Sequence, residues 1–281
     1  MPSASPFFTG RRAGRPGLVL FLNAGDPPLE VLREIVLVMD QCGVDCLELA
    51  VPFPDSPTDG PVIQESARRA LDRGVDLEAV LAFVESVRPE LSHLKIALLA
   101  DWSYSIKGTP LRDFLERVQS ASADGLLIHG LPPRIRPEYY EAAEATGLPI
   151  VTTCYATSEP PVLHDAADHA SAYIYLVSAY GRSGTVGPPD HSALVPVLEI
   201  LRERTEVPIA VGFGVKDRSH VEGLGDVGAD AAIVGSTCVA RVADAQAAGR
   251  DVVEDFRELV IELMPPSEAE PAGSQQSTQE R

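Results

Sequence analysis

Short apolar runs of five to seven residues recur along the chain and alternate with longer segments in which apolar residues repeat every three or four positions. The runs are continuously apolar and rich in β-branched residues, which is typical of parallel strands covered on both faces. They predict eight strands, at 18–23, 45–51, 94–100, 125–129, 149–154, 172–178, 208–212 and 229–235.

The segments between these runs have the pattern of amphipathic helices. In 29–41, for example, Leu32, Ile35 and Met39 share one face, and Gly43 follows as a helix-ending residue. Comparable patterns predict helices at 62–73, 77–88, 111–120, 136–146, 160–169, 191–204, 216–225 and 252–264.

Eight strands that alternate with helices either close into a barrel or form an open doubly wound sheet. No Gly-x-Gly-x-x-Gly motif follows the first strand, which favours a single (β/α)8 TIM barrel over 17–264. Residues 1–16 are expected to be an irregular N-terminal lead-in. Residues 265–281 contain no aromatic residue and no aliphatic residue larger than Ala, so we expect a disordered tail.

Composition and charge reduce the number of function classes that fit this chain. Hydrophobic residues make up 45% of the 281 positions, enough for a large core, and 41 acidic against 23 basic residues give a net charge of −18. Such a charge disfavours nucleic acid as a partner. The apolar run 18–22 is shorter than a signal-peptide core of about 7–15 residues, and no run is long enough to span a membrane. We therefore expect a cytoplasmic protein without a membrane partner.

Two carboxyl groups near the end of the second strand are candidate catalytic acids. Glu48 is embedded in the apolar run, and if it points into the barrel its pKa should rise towards neutrality, as suits a general acid/base. An outward orientation, with pairing to a helix Lys or Arg, remains open. Asp59 follows in a loop rich in Pro and Gly, where we expect it to stay ionised; an ordinary Asp-Gly turn is the alternative.

Glycine-rich turns follow the last three predicted strands, at 181–187, 212–214 and 235–237. Glycines let backbone N–H groups approach an anion, and this end of such barrels commonly binds phosphate. The three turns together favour a phosphate site over mere tight turns.

Five stretches between Leu18 and Met264 resemble the α subunit of tryptophan synthase. They are 23–27, 47–64, 173–178, 212–214 and 235–236. The resemblance implies a lyase that cleaves indole-3-glycerol phosphate by a retro-aldol reaction, without a cofactor or metal, and names a pyridoxal-phosphate β subunit as the candidate partner.

The resemblance also assigns roles to residues. Glu48 falls on the acid/base that acts on the glycerol hydroxyl and on indole C3, and Asp59 falls on the carboxylate at the indole N–H. The implied indole pocket is formed by Phe21, Tyr175 and Phe213, and the implied phosphate cradle by Gly184, Gly187, Gly214, Gly235 and Ser236.

The chain departs from the family pattern in the loops at the top of the barrel. These departures include Asp101 after the third strand, His129 after the fourth, and a turn after the sixth that is about three residues longer and carries Arg182. His129 is either a new catalytic group or a structural residue. Since these loops face the β subunit in the family, two alternatives stay open. One is a stand-alone lyase for this or a related phosphorylated substrate, and the other is a mainly partner-activating subunit.

Overall fold

The computed structural model describes residues 7–8, 15–178, 191–212 and 214–264. Within them, eight strands alternate with helices. The strands are β1 (Gly17–Asn23), β2 (Cys46–Ala50), β3 (Lys95–Asp101), β4 (Gly125–His129), β5 (Val151–Tyr155), β6 (Tyr173–Val177), β7 (Ile209–Gly212) and β8 (Ala231–Val234).

The helices of the described residues surround these strands. They are α1 (Leu29–Cys42), α2 (Pro61–Asp72), α3 (Leu77–Val87), α4 (Leu111–Ser120), α5 (Arg136–Thr146), α6 (Pro160–His169), α7 (Val195–Arg202), α8 (Arg218–Asp226), α9 (Ser236–Ala248) and α10 (Val252–Leu263). Across these described segments, no helix has the length and apolar character that crossing a membrane requires.

The strands form one parallel sheet that curves into a barrel. Its order is β4-β3-β2-β1-β8-β7-β6-β5, so β1 lies between β2 and β8. The two ends of the sheet meet where Leu126 pairs with Ile150, and the Leu126 N–H donates to the Pro149 carbonyl at 3.0 Å. The predicted (β/α)8 barrel is therefore confirmed, and each predicted strand boundary lies within two residues of the observed one.

One helix, α9, was missed by the sequence analysis. Its residues include five alanines and no wide apolar stripe, so the periodic signal is weak. Gly249, in the left-handed conformation at its C-terminus, is the stop signal that marks it. This helix matters for function because it begins directly after β8, at Ser236.

Two phenylalanines from the predicted lead-in close the N-terminal end of the barrel. Phe7 and Phe8 are buried, and their ring centroids lie 5.5 and 5.3 Å from that of Tyr173. Phe8 packs against Gly17 at the start of β1, and Phe7 packs against Gly125 at the start of β4. The barrel interior is therefore filled at the N-terminal ends of the strands, and the carboxyl ends remain open for a functional site.

Candidate active site

Glu48 points into the barrel. Side chains alternate along β2, so Cys46 and Glu48 share the interior face, and Glu48 is paired in register with Phe21 of β1. Its side chain is only 1% exposed, and the Tyr173 hydroxyl donates a hydrogen bond of 2.6 Å to Oε1. Of the two orientations that the sequence left open, the inward one is the one adopted.

Burial raises the pKa of the Glu48 carboxyl to about 7, and the hydrogen bond from Tyr173 acts in the opposite direction by favouring the charged form. The pKa of Tyr173 is itself raised well above its ordinary value, first by burial and then by the charge of Glu48, so the hydroxyl remains the proton donor. Near neutral pH, Glu48 is thus able both to give and to accept a proton.

A cavity at the carboxyl ends of the strands brings the predicted residues together. Its lining includes Phe21, Glu48, Asp59, Tyr175, Gly214, Gly235 and Ser236. Three further predicted residues, Phe213, Gly184 and Gly187, lie outside the described residues. The cavity is also lined by Asn23, Thr58, Gln64, Thr153 and Tyr155, which the sequence analysis did not select, and by His129. Their common signal is position, because all except Thr153, in the middle of β5, end or follow a strand or begin the next helix.

Asp59 is supplied by the loop between β2 and α2 and is half-buried, in contrast to Glu48. The Gln64 amide, from the first turn of α2, donates hydrogen bonds to the carbonyls of Ser56 at 2.7 Å and Asp59 at 3.0 Å. The loop is thereby tied to the helix that follows it. Glu48 and Asp59 therefore line one cavity, but Glu48 is held by a strand and Asp59 by a loop.

The aromatic part of the cavity depends on Gly212, which has no side chain. A Cβ atom at Gly212 would lie 2.7 Å from the ring of Tyr175, so only glycine leaves room for this ring. Burial raises the pKa of Tyr175 well above its ordinary value, and the charges of Glu48 and Asp59 act in the same direction. Tyr175 thus stays neutral, and together with Phe21 it gives the cavity an aromatic lining suited to a flat apolar group.

Another part of the cavity lining has the features of an anion site. Gly214 has a φ of +81°, a conformation that favours glycine. Gly235 is the N-cap residue of α9, and as a glycine it has no side chain to cap the helix N-terminus. The nearest neighbour of a Cβ atom built on Gly235 is Phe21, at 3.8 Å. Backbone N–H groups are therefore available at the wall of the cavity.

Comparison with known proteins identifies the family. The sequence model of the tryptophan synthase alpha chain matches residues 7–265. The chain belongs to the tryptophan synthase alpha chain family. The tryptophan synthase alpha chain of Picosynechococcus sp. is 36% identical over 266 residues, which cover 94% of this chain and 100% of that protein. The corresponding protein of Gloeobacter violaceus is 37% identical and covers 80% of each chain.

Solved structures agree with this assignment to the tryptophan synthase alpha chains. A mutant tryptophan synthase alpha subunit from Pyrococcus furiosus superposes with a TM-score of 0.78 at 29% identity, covering 89% of this chain and 98% of that one. A structure of the α2β2 complex from the same organism matches with a TM-score of 0.77, also at 29% identity and with the same coverage.

The raised pKa of Glu48 predicts a pH-dependent stability. Between pH 4.5 and 7 the folded protein retains a proton that the unfolded chain has released, so the free energy of unfolding falls as the pH rises. Over this interval we expect wild type to lose up to about 3 kcal/mol relative to Glu48→Gln. Urea denaturation at several pH values measures this difference. The exposed Glu34→Gln is the matched control and should follow wild type, whereas a constant difference between wild type and Glu48→Gln would contradict the raised pKa.

Proposed function

We propose that this chain is a lyase that cleaves indole-3-glycerol phosphate to indole and glyceraldehyde 3-phosphate by a retro-aldol reaction. The observation that carries the proposal is Glu48, a buried carboxyl with a pKa of about 7. It shares an aromatic cavity with the half-buried Asp59. Membership of the tryptophan synthase alpha chain family supports the same reaction.

The reaction needs two proton movements that balance. A proton added to indole C3 places positive charge on the ring nitrogen. Loss of a proton from the hydroxyl on the adjacent glycerol carbon then forms the aldehyde. The bond between that carbon and C3 breaks, and its electron pair restores the neutral indole. One proton is gained and one is lost, so the step involves no net oxidation or reduction.

The two carboxyl groups are suited to different parts of this step. We assign to Glu48 the proton delivered to C3 and the proton taken from the hydroxyl, because its pKa near 7 makes both protonation states accessible. The Tyr173 hydroxyl fixes Oε1 and hence the orientation of the group. Asp59 is assigned the indole N–H, where a carboxylate stabilises the positive charge that develops.

The remaining predicted residues are assigned to binding. Phe21 and Tyr175 line the cavity and are assigned the indole ring, and Phe213 keeps the indole role that the family resemblance implies. Gly214, Gly235 and Ser236 present backbone N–H groups to the phosphate, and Gly184 and Gly187 keep the phosphate roles that the family resemblance implies.

Incubation of the purified chain with indole-3-glycerol phosphate, followed by an assay for free indole, tests the proposed reaction. We expect wild type to release indole and Glu48→Gln to lower kcat by at least about 10²-fold, since the variant cannot transfer protons. Circular dichroism of the variant serves as the folding control. No indole from wild type would reject the reaction, and near-normal turnover by Glu48→Gln would remove Glu48 from the mechanism.

A charged side chain at Gly235 tests the phosphate assignment. Because a Cβ atom there has no neighbour closer than 3.8 Å, we expect Gly235→Asp to fold and to repel the phosphate dianion. Its KM should rise at least about tenfold above that of Gly235→Asn, which has the same shape without the charge. Equal KM values for the two variants, measured by steady-state kinetics, would place the phosphate elsewhere.

We also propose a tryptophan synthase β chain as partner, since the α2β2 complex of Pyrococcus furiosus is among the structures that this chain resembles. The altered rim residues, including Asp101 and His129, lead us to expect weak coupling. Titration with a purified β chain should raise kcat by less than about tenfold, or about 1.4 kcal/mol. Activation of a hundredfold or more would contradict this weak coupling.

A further inference from the structure

Three side chains from separate parts of the sequence form a chain of hydrogen bonds at the rim of the cavity. The His129 Nδ1 atom lies 2.9 Å from Oδ2 of Asp101, and its Nε2 atom lies 3.1 Å from Oγ1 of Thr58. From this geometry we infer that His129 is a positioning residue for Asp59, acting through Thr58. The inference rests on the proposed function, in which Asp59 stabilises the charge on the indole nitrogen.

This chain of hydrogen bonds is anchored on two strands of the barrel. Asp101 and His129 are register partners at the ends of β3 and β4. Asp101 is only 6% exposed, and its Oδ1 accepts hydrogen bonds from the backbone N–H groups of Ser103 at 2.8 Å and Tyr104 at 3.1 Å. With both oxygens engaged, the carboxylate has one orientation, and it directs His129 towards the loop.

Hydrogen bonding and stacking together fix the imidazole. Because Nδ1 lies against the Asp101 carboxylate and donates to it, Nε2 is the ring nitrogen that pairs with the Thr58 hydroxyl. The ring also stacks on Phe53, with centroids 5.5 Å apart and planes inclined by 26°. Phe53 in turn stacks on Tyr104 at 6.0 Å. The imidazole therefore lies in a position set by β3, β4 and the loop.

The contact with Thr58 bears directly on the candidate catalytic loop. Thr58 immediately precedes Asp59, and Thr58, Asp59 and His129 all line the cavity. Gln64 holds the carbonyls of Ser56 and Asp59 from the side of α2, and His129 holds Thr58 from the side of β4. Since displacement of a catalytic group by about 1 Å costs up to about 10² in rate, such support from two sides affects turnover.

Steady-state kinetics of indole release test whether His129 positions Asp59 through Thr58. We expect His129→Ala and Thr58→Val each to lower kcat about tenfold with little change in KM, because Asp59 acts as charge develops in the transition state. The double variant should be no worse than either single variant. Thr58→Ser keeps the hydroxyl and should restore kcat, while His164→Ala, on α6 and not part of the cavity lining, serves as the matched control.

The dependence on Asp59 separates positioning from an independent role. In an Asp59→Asn background, His129→Ala should have no further effect on kcat. An undiminished effect there would show that His129 acts on its own and would overturn the proposal. Wild-type kcat and KM in His129→Ala would overturn it as well.

Hydrogen exchange gives a readout that does not depend on activity. In the protein without substrate, His129→Ala should raise the exchange rates of the backbone amides at 55–60 at least about threefold, and His164→Ala should not. Unchanged amide exchange rates at 55–60 in His129→Ala would overturn the proposed positioning role of His129. If wild type releases no indole, the proposed function fails, and the exchange experiment still decides whether His129 orders the loop.

Discussion

Burial of the Glu48 carboxyl inside the barrel determines the properties of the site. The ionised form loses its hydration there, and this raises the pKa to about 7. The Tyr173 hydroxyl donates a compensating hydrogen bond to the carboxyl group, and Phe7 and Phe8 pack against the Tyr173 ring from below. The floor of the barrel is therefore part of the chemistry, because it keeps water away from the carboxyl and fixes its donor.

The two carboxyl groups are supported in different ways, which suits their different tasks. Glu48 is carried by β2, which pairs with β1 on one side and β3 on the other, so its position follows from the register of the barrel. Asp59 is carried by a loop whose position depends on Gln64 and on Thr58 with its partner His129. A group that must sit in a dry interior is placed on the rigid scaffold. A group that meets the substrate at the rim is placed on a segment held by hydrogen bonds.

The sequence predicted the strands well because runs such as 208–212 are continuously apolar, and a barrel strand buried on both faces requires that pattern. It did not decide the direction of Glu48, since a shift of one residue in register reverses every side chain. The helix α9 was missed because its alanines give little amphipathic contrast. Local patterns did not reveal the packing of Phe7 and Phe8 or the hydrogen bond between His129 and Thr58. These contacts join distant parts of the chain, which local patterns do not encode.

The central claim is that a neutral-range pKa at Glu48 makes this barrel an acid/base catalyst. Carbon-13 NMR of protein labelled at the glutamate carboxyl carbons tests it most directly, with the Glu48 signal assigned by its loss in Glu48→Gln. We expect this signal to titrate with a midpoint near pH 7. A midpoint near 4.5, the ordinary value for glutamate, would contradict the account.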